Sequence, residues 1–105
     1  MSDYVLVLCT INDYEKAKDI SRKLLEEKLI ACSNIVPNVT SIYRWEGEIC
    51  EDAEYLLLMK TKYAVFDILK SKIAELHPYD VPEILALDIE EGIEDYLNWV
   101  EQSVI

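Results

Sequence analysis

The only histidine of the chain, His77, lies in residues 77–83 (HPYDVPE), which also hold two of the three prolines. An imidazole titrates near neutral pH, so this side chain can carry a proton or bind a soft metal ion. Each proline restricts the residue before it, so the backbone at His77 and Val81 is largely predetermined. A histidine at a helix C-terminus also interacts favourably with the helix dipole. A functional site and a helix stop are therefore two open interpretations of this segment.

Three cysteines, Cys9, Cys32 and Cys50, are the other candidate ligands for a soft metal. Sulfur and imidazole suit copper-type ions, so Cys9 could supply a thiolate to such an ion. A cysteine in an apolar segment is, however, more often a small core residue. An odd number of widely spaced cysteines argues against a disulfide framework and against a CxxC zinc site. We therefore expect reduced thiols.

Acidic residues form two clusters, one near a predicted hairpin and one before the last predicted helix. The clusters are Glu46, Glu48, Glu51, Asp52 and Glu54, and Asp88, Glu90, Glu91, Glu94 and Asp95. Neither has the spacing of a calcium loop, so we expect both to be solvated faces.

Motifs of common enzymes are absent from the sequence. With two glycines, the chain has no phosphate-binding loop, and it has no GxSxG elbow or HExxH helix. A Cys9 and His77 pair has no evident orienting carboxylate or oxyanion loop, so we expect the protein not to be an enzyme.

The composition bounds the class of protein. With 105 residues, 51% of them hydrophobic, the chain is expected to form one domain over residues 1–105. A net charge of −11 argues against nucleic acid and anionic membranes as partners, because both are bound through clustered lysine and arginine. Charged residues interrupt each apolar run before it reaches the length needed to cross a bilayer. No basic segment of the kind that begins a secretion signal precedes the first run. We therefore expect a soluble, cytoplasmic protein.

Hydrophobic periodicity predicts the elements that position these residues. Residues 4–11 are a continuous apolar run, expected as a central strand covered on both faces. Asn12 is predicted to cap a first helix, and residues 65–76 form a second helix that His77-Pro78 closes. The apolar face of the first helix consists of Ala17, Ile20, Ser21, Leu24 and Leu25.

The remaining elements are predominantly strands. Residues 31–45 have a strand pattern broken at Pro37-Asn38, residues 46–48 are a turn, and residues 54–61 are the returning strand of a hairpin. A fourth strand over residues 84–89 and a short terminal helix marked by Ile93, Tyr96, Leu97 and Val100 follow. The order βαββαβ plus one helix predicts an α+β, ferredoxin-like sandwich with an extra C-terminal helix.

One face of such a sheet must meet water or a partner, because the helices cover only the other face. Strand residues such as Leu57, Met59, Leu85 and Leu87 leave neither face convincingly polar. Residues 35–45 would reach roughly 36 Å, slightly more than a domain of this size should span. We therefore predict an oligomer in which the end of the hairpin contacts another subunit.

Six segments together carry a family resemblance. They are Leu8-Cys9-Thr10, residues 29–34 (LIACSN), 41–49 (SIYRWEGEI), Lys60-Thr61, residues 77–83 (HPYDVPE) and 96–99 (YLNW). In this order, and over nearly the whole chain, they resemble the CutA divalent-cation-tolerance proteins.

The resemblance implies a tight homotrimer with an architecture similar to PII signalling proteins, and a cytoplasmic role in tolerance of copper and other heavy metals. In copper-linked bacterial members of the family, the suggested ligands are a cysteine in the first strand and a His-His pair before Pro-Tyr. Cys9 matches the cysteine and His77 the second histidine, whereas Leu76 departs from the pair.

Two functions follow from the resemblance and the departure at Leu76. In the first, a homotrimer binds copper or another divalent ion weakly through His77, with Cys9 as a second ligand. In the second, the trimer is a PII-like module that binds a small ligand or transmits a signal, and metal contact is incidental.

Overall fold

The computed structural model describes residues 2–105. Its elements are β1 (Tyr4–Ile11), α1 (Tyr14–Glu26), β2 (Cys32–Trp45), β3 (Glu48–Lys62), α2 (Phe66–Leu76), β4 (Leu85–Asp88) and α3 (Glu94–Ser103), with a 3-10 turn at Tyr63–Val65 before α2. The four strands form one antiparallel sheet in the order β2-β3-β1-β4. The predicted α+β, ferredoxin-like fold is confirmed.

The main core lies between the sheet and helices α1 and α2. Along β1 every second residue is buried, because successive strand side chains point to opposite faces. The buried members of the core are Val5, Val7, Cys9, Ile11, Ala17, Ile20, Leu24, Leu29, Ile30, Leu57, Met59, Leu69 and Ile73. Cys9 therefore lies on the helix side of the sheet.

Helix α1 begins one residue later than predicted. Asp13, not Asn12, is the N-cap, and its Oδ1 accepts a hydrogen bond of 3.0 Å from the backbone N–H of Lys16. This is the bond that a capping aspartate makes to the third helical residue. Leu25, predicted on the apolar face, is 40% exposed.

The hairpin of β2 and β3 is longer than predicted. β3 begins at Glu48 rather than at Glu54, and Trp45 pairs with Glu48 across a two-residue turn. Both turn residues have positive φ, 49° at Glu46 and 81° at Gly47, which matches the twist of the flanking strands. The predicted break at Pro37-Asn38 is a bulge inside a continuous strand. The hairpin contributes to a molecule 44 Å long and 26 Å by 24 Å across.

The second sheet face, here the open sheet face, carries six leucines. The registers pair Leu8 with Leu58 and Leu85, and Leu6 with Leu87, and Leu56 follows in the same alternation. None of the six is buried, and Leu85 and Leu87 are 54% and 48% exposed. The strands are therefore not covered on both faces within one chain, contrary to the expectation for residues 4–11.

Helix α3 packs at one end of the sheet through a small cluster of Ala31, Val65, Val100 and Val104, with Tyr4 against it. Its rings Tyr96 and Trp99 lie 5.4 Å apart and are exposed. No helix within residues 2–105 combines the length and the apolar character that a bilayer crossing requires.

Candidate functional site

His77 ends helix α2 as its C-cap residue. Its backbone is extended (φ −76°, ψ 138°), as expected for a residue before proline, while its N–H still donates to the Ile73 carbonyl at 2.8 Å. The side chain is 7% exposed. The helix-stop interpretation is therefore confirmed, and the ring is directed into the protein rather than into solvent.

Both ring nitrogens of His77 have backbone partners. The N–H of Tyr79 donates to Nδ1 at 3.1 Å, so Nδ1 carries no proton, and Nε2 then donates to the Thr10 carbonyl at 2.9 Å. The ring also lies edge-on to the Tyr79 ring, with centroids 4.6 Å apart. Burial lowers the pKa of His77, although the Thr10 carbonyl and the Glu54 carboxylate oppose this shift. The neutral imidazole joins the end of α2 to the end of β1.

Cys9 reaches the same carbonyl from the core side. Its Sγ donates a weak hydrogen bond of 3.9 Å to the Thr10 oxygen, and the residue is 1% exposed. Burial, assisted by the negative charges of Glu83 and Glu54, raises the pKa of the Cys9 thiol to about 12. The thiol therefore stays protonated at neutral pH, whereas a metal ligand must be a thiolate.

The structure thus brings the two predicted ligands together, but around a carbonyl oxygen. Within residues 2–105, no three His, Cys, Asp or Glu side chains converge as a metal site would require. Leu76, at the position of the missing histidine, packs partly buried against the main core. In this arrangement both ring nitrogens of His77 are engaged, and Cys9 is a buried, protonated thiol.

Glu54 is a buried carboxylate beside this junction. It is 7% exposed, and its Oε2 accepts a hydrogen bond of 2.6 Å from the Tyr79 hydroxyl. Burial and the bond to Glu54 raise the pKa of Tyr79. The prediction that the whole hairpin cluster is a solvated face is wrong for Glu54, because the segment after His77 brings Tyr79 against its carboxylate.

An open groove of about 560 Å³ lies between the hairpin and the segment that follows His77. We call it the hairpin groove. Its lining consists of Thr10, Asn12, Ser41, Ile42, Tyr43, Trp45, Asp52, Glu54, Tyr79, Asp80, Val81 and Glu83. Across the two hairpin strands, the Tyr43 hydroxyl donates to Asp52 Oδ2, which raises the pKa of Tyr43 to about 12.

Sequence reasoning missed this groove because its walls are distant along the chain. The rest of β3 and helix α2 separate the acidic residues of the hairpin from those of the segment after His77, so no local pattern joins them. One feature of the sequence could have indicated the groove. Glu54 begins the apolar run 54–59, and strand alternation places its carboxylate on the same face as Leu56 and Leu58.

The second acidic cluster is solvated as predicted. Asp88, Glu90, Glu91, Glu94 and Asp95 are all exposed, and the last two lie in the first turn of α3, where negative charge favours the helix dipole. Cys9, Cys32 and Cys50 are all free cysteines. Cys9 is buried, whereas Cys32 and Cys50 are partly exposed.

The βαββαβ sheet with one helix layer and an elongated hairpin defines a small ferredoxin-like α+β protein. Comparison with known proteins identifies the family. Residues 5–103 match the family model described as CutA1 divalent ion tolerance protein. The chain belongs to the CutA1 family.

Individual relatives agree with this assignment. The divalent-cation tolerance protein CutA of Thermus thermophilus is 52% identical over 98 residues, which is 93% of this chain and 95% of that protein. The Pyrococcus horikoshii protein of the same name is 43% identical over 96 residues, 91% of this chain and 93% of its own. A solved structure of the Thermus thermophilus protein superposes with a TM-score of 0.94 at 50% identity, covering 97% of this chain and 99% of that one.

Proposed function

We propose that this protein acts as a cytoplasmic homotrimer in the cell's tolerance of divalent heavy-metal ions. The support is membership of the CutA1 family, whose relatives carry divalent-cation tolerance in their names. The proposal treats residues 1–105 as one domain, assigns no catalytic step to it, and includes no nucleic acid or membrane partner.

The open sheet face is the observation that supports assembly. Six leucines on one face of a sheet are more apolar surface than a monomer usually leaves in water. The two edge strands, β2 and β4, also leave backbone groups unpaired, and β4 has only four residues. Copies of the same chain would cover the leucines and pair the edges, and the long hairpin would reach past the body of its own subunit.

The homotrimer is tested by light scattering coupled to size-exclusion chromatography. At micromolar concentration we expect a single species with three times the mass of one chain. A monomer at that concentration would overturn the trimer, because the leucine face would then be shown to remain in water.

The proposed metal contact is weak binding of copper or another divalent ion through His77, with Cys9 as a second ligand. Its support is that the imidazole and the thiol both contact the Thr10 oxygen, which places the two side chains near each other. Binding would be weak because an ion has to displace the Nε2 proton, which the Thr10 carbonyl accepts. It also has to displace a proton from a thiol with a pKa of about 12.

Calorimetric copper titration tests this contact, in a Cys32→Ser/Cys50→Ser background so that Cys9 is the only thiol. We expect weak binding that His77→Ala abolishes and Cys9→Ser reduces, since each substitution removes one of two ligands. The matched control is the same background titrated with magnesium, which prefers oxygen ligands and should give no such difference. Identical copper isotherms for all three proteins would contradict the contact.

The second candidate is a PII-like trimer that binds a small ligand and has no physiological metal role. The hairpin groove favours it, because its volume lies within the usual range for small-molecule sites while the two predicted metal ligands already have partners. This function would be selected if the background protein and its His77→Ala and Cys9→Ser variants gave identical copper isotherms and the protein had a trimeric mass.

A further inference from the structure

We propose that the tip of the β2–β3 hairpin docks on helix α3 of a second copy of this chain, so that successive copies join head to tail. The proposal rests on the homotrimer proposed above, and it names two surfaces that meet beside the open sheet face. The first surface, here the tip face, consists of Ile42, Arg44 and Ile49. The second, here the α3 stripe, consists of Ile93, Tyr96 and Trp99.

The tip face is an apolar surface that its own chain leaves uncovered. Strand alternation places Ile49 on the same sheet face as the buried Leu57, yet Ile49 is 71% exposed. Ile42 lies diagonally across the hairpin from it and is 65% exposed, and Arg44 is its direct cross-strand partner. A two-stranded hairpin without further cover is only marginally stable in water. We therefore expect another molecule to cover this end of the hairpin.

The α3 stripe is a second uncovered surface. Val100 and Val104 bury one side of α3 against the end of the sheet, whereas the three residues of the stripe follow one another at three-residue spacing and are exposed. Two of them are aromatic, with ring centroids 5.4 Å apart. Aromatic side chains are enriched in protein–protein interfaces relative to the rest of the surface. The stripe therefore has the composition of an interface.

The two surfaces lie at opposite ends of the same chain. The α3 stripe lies at the start of β2, where the Tyr96 hydroxyl is 3.5 Å from Cys32 Sγ, whereas the tip face lies at the end of β2. This strand has 14 residues and spans roughly 40 Å at ~3.3 Å per residue, in a molecule 44 Å long. A tip face therefore reaches only the α3 stripe of another copy. Contacts between two different surfaces are heterologous, and they form a closed ring, such as a trimer, when the rotation closes.

The α3 stripe is continuous with the open sheet face. Cys32, which the Tyr96 hydroxyl contacts, pairs with Lys60, and Lys60 pairs with Leu6. Leu6 pairs in turn with Leu87 on the open sheet face. Cross-strand partners point to the same face of a sheet, so Tyr96 borders the row that contains these leucines. A neighbouring copy that covers the leucines is therefore placed beside the α3 stripe.

The charges of the two surfaces are complementary. Arg44 is the only basic residue among residues 29–59, and the ion pairs within residues 2–105 do not include it. Asp95 is exposed and lies four residues before Trp99, which places its carboxylate beside the α3 stripe. Docking pairs Arg44 with Asp95 and brings the guanidinium over a ring of the stripe, where it gains a cation–π attraction.

Photo-crosslinking of the full chain tests the docking directly. Ile49 is replaced by p-benzoylphenylalanine, a photoreactive side chain that links to C–H bonds in contact with it. After irradiation at micromolar concentration, we expect mass spectrometry to find links to residues 93–99 and a denaturing gel to show covalent dimers and trimers. The same side chain at Arg22, which is exposed on α1, should give no link to residues 93–99. If the protein is trimeric by light scattering but position 49 links only to other segments, the docking is overturned and the trimer is not. A monomeric mass would overturn both.

Exchange of the two charges is the second test. Arg44→Glu and Asp95→Arg should each raise about tenfold the protein concentration at which half of the trimer dissociates, measured at one fixed guanidinium concentration. The double variant restores the pair and should return to within about threefold of the unmodified protein, which also shows that both substitutions allow folding. Arg22→Glu makes the same change of charge on α1 and should have less than about a twofold effect. Equal weakening by Arg44→Glu and Arg22→Glu, or a double variant no tighter than the single ones, would overturn the proposal.

Discussion

If the proposed trimer forms through the open sheet face, replacing Leu87 with glutamate should convert it into monomers at micromolar concentration. Leu87 lies on the open sheet face opposite Leu6 and is 48% exposed in a single chain. Covering the exposed half of a leucine contributes about 1 kcal/mol, and placing a carboxylate in an apolar interface costs several kcal/mol more. The proposed trimer would contain the substitution three times, so the cost to its free energy of assembly would be about three times that of one site.

The control for this experiment is Ile68→Glu, which makes a similar aliphatic-to-acid change at a residue that is 55% exposed on helix α2. Ile68 lies in the helix layer, away from the open sheet face, so its variant should remain trimeric. Light scattering gives the mass of each variant, and circular dichroism checks that both fold. A trimeric Leu87→Glu variant, or dissociation of both variants, would exclude the open sheet face as the specific interface.

The fold was predictable because its elements are strongly periodic. The continuous apolar run 4–11 and the helical spacing of the buried residues Leu69 and Ile73 depend only on neighbours in the chain. The error at the start of α1 arose because Asn12 and Asp13 can both cap, and only the helix geometry decides which one accepts from Lys16. Local patterns therefore define elements better than they define boundaries.

The length of the hairpin was underestimated for a different reason. Residues 48–53 contain three acidic residues, which are depleted in strands, so the pattern indicated a turn region. Tyr43, paired with Cys50, donates to Asp52, and the turn at Glu46-Gly47 has the φ values that a tight hairpin requires. Pairing with β2 therefore outweighs the low strand propensity of this segment.

The candidate site was predictable only in part. His77 was identified from the sequence, but its partners Thr10 and Tyr79 are a carbonyl and an N–H, which no side-chain motif records. Thr10 is also 67 residues away along the chain, so the contact exists only after β1 and the end of α2 meet. The same limitation hid the pairing of Glu54 with Tyr79.

These contacts change the interpretation of the HPY segment. A histidine with both nitrogens engaged and a ring that is 7% exposed contributes to folding, whatever it does with a metal ion. It holds Tyr79 in place, and Tyr79 in turn donates to Glu54 at the groove. The residue that the resemblance implies as a ligand is thus also the residue that positions one wall of the groove.

His77→Ala should therefore destabilise the protein by about 3 kcal/mol, even with a chelator present. The substitution removes two hydrogen bonds of about 1 kcal/mol each and leaves the Thr10 carbonyl and the Tyr79 N–H without those partners. For a chain of this size the midpoint of thermal unfolding should fall by more than about 10 °C. Denaturation at one fixed protein concentration measures the change, because assembly also contributes to stability.

Two further variants and a pH series separate folding from metal binding. His77→Asn retains an acceptor near Nδ1 and His77→Gln a donor near Nε2, so each should recover about half of the loss. Burial lowers the folded pKa of His77, so the unfolded chain binds its proton first as the pH falls through about 6.5, and stability should decrease from there downward. His77 is the only histidine, so between pH 8 and about 5.5 this decrease should vanish in His77→Gln. Stability that falls only when the chelator is added would instead assign His77 to a metal site.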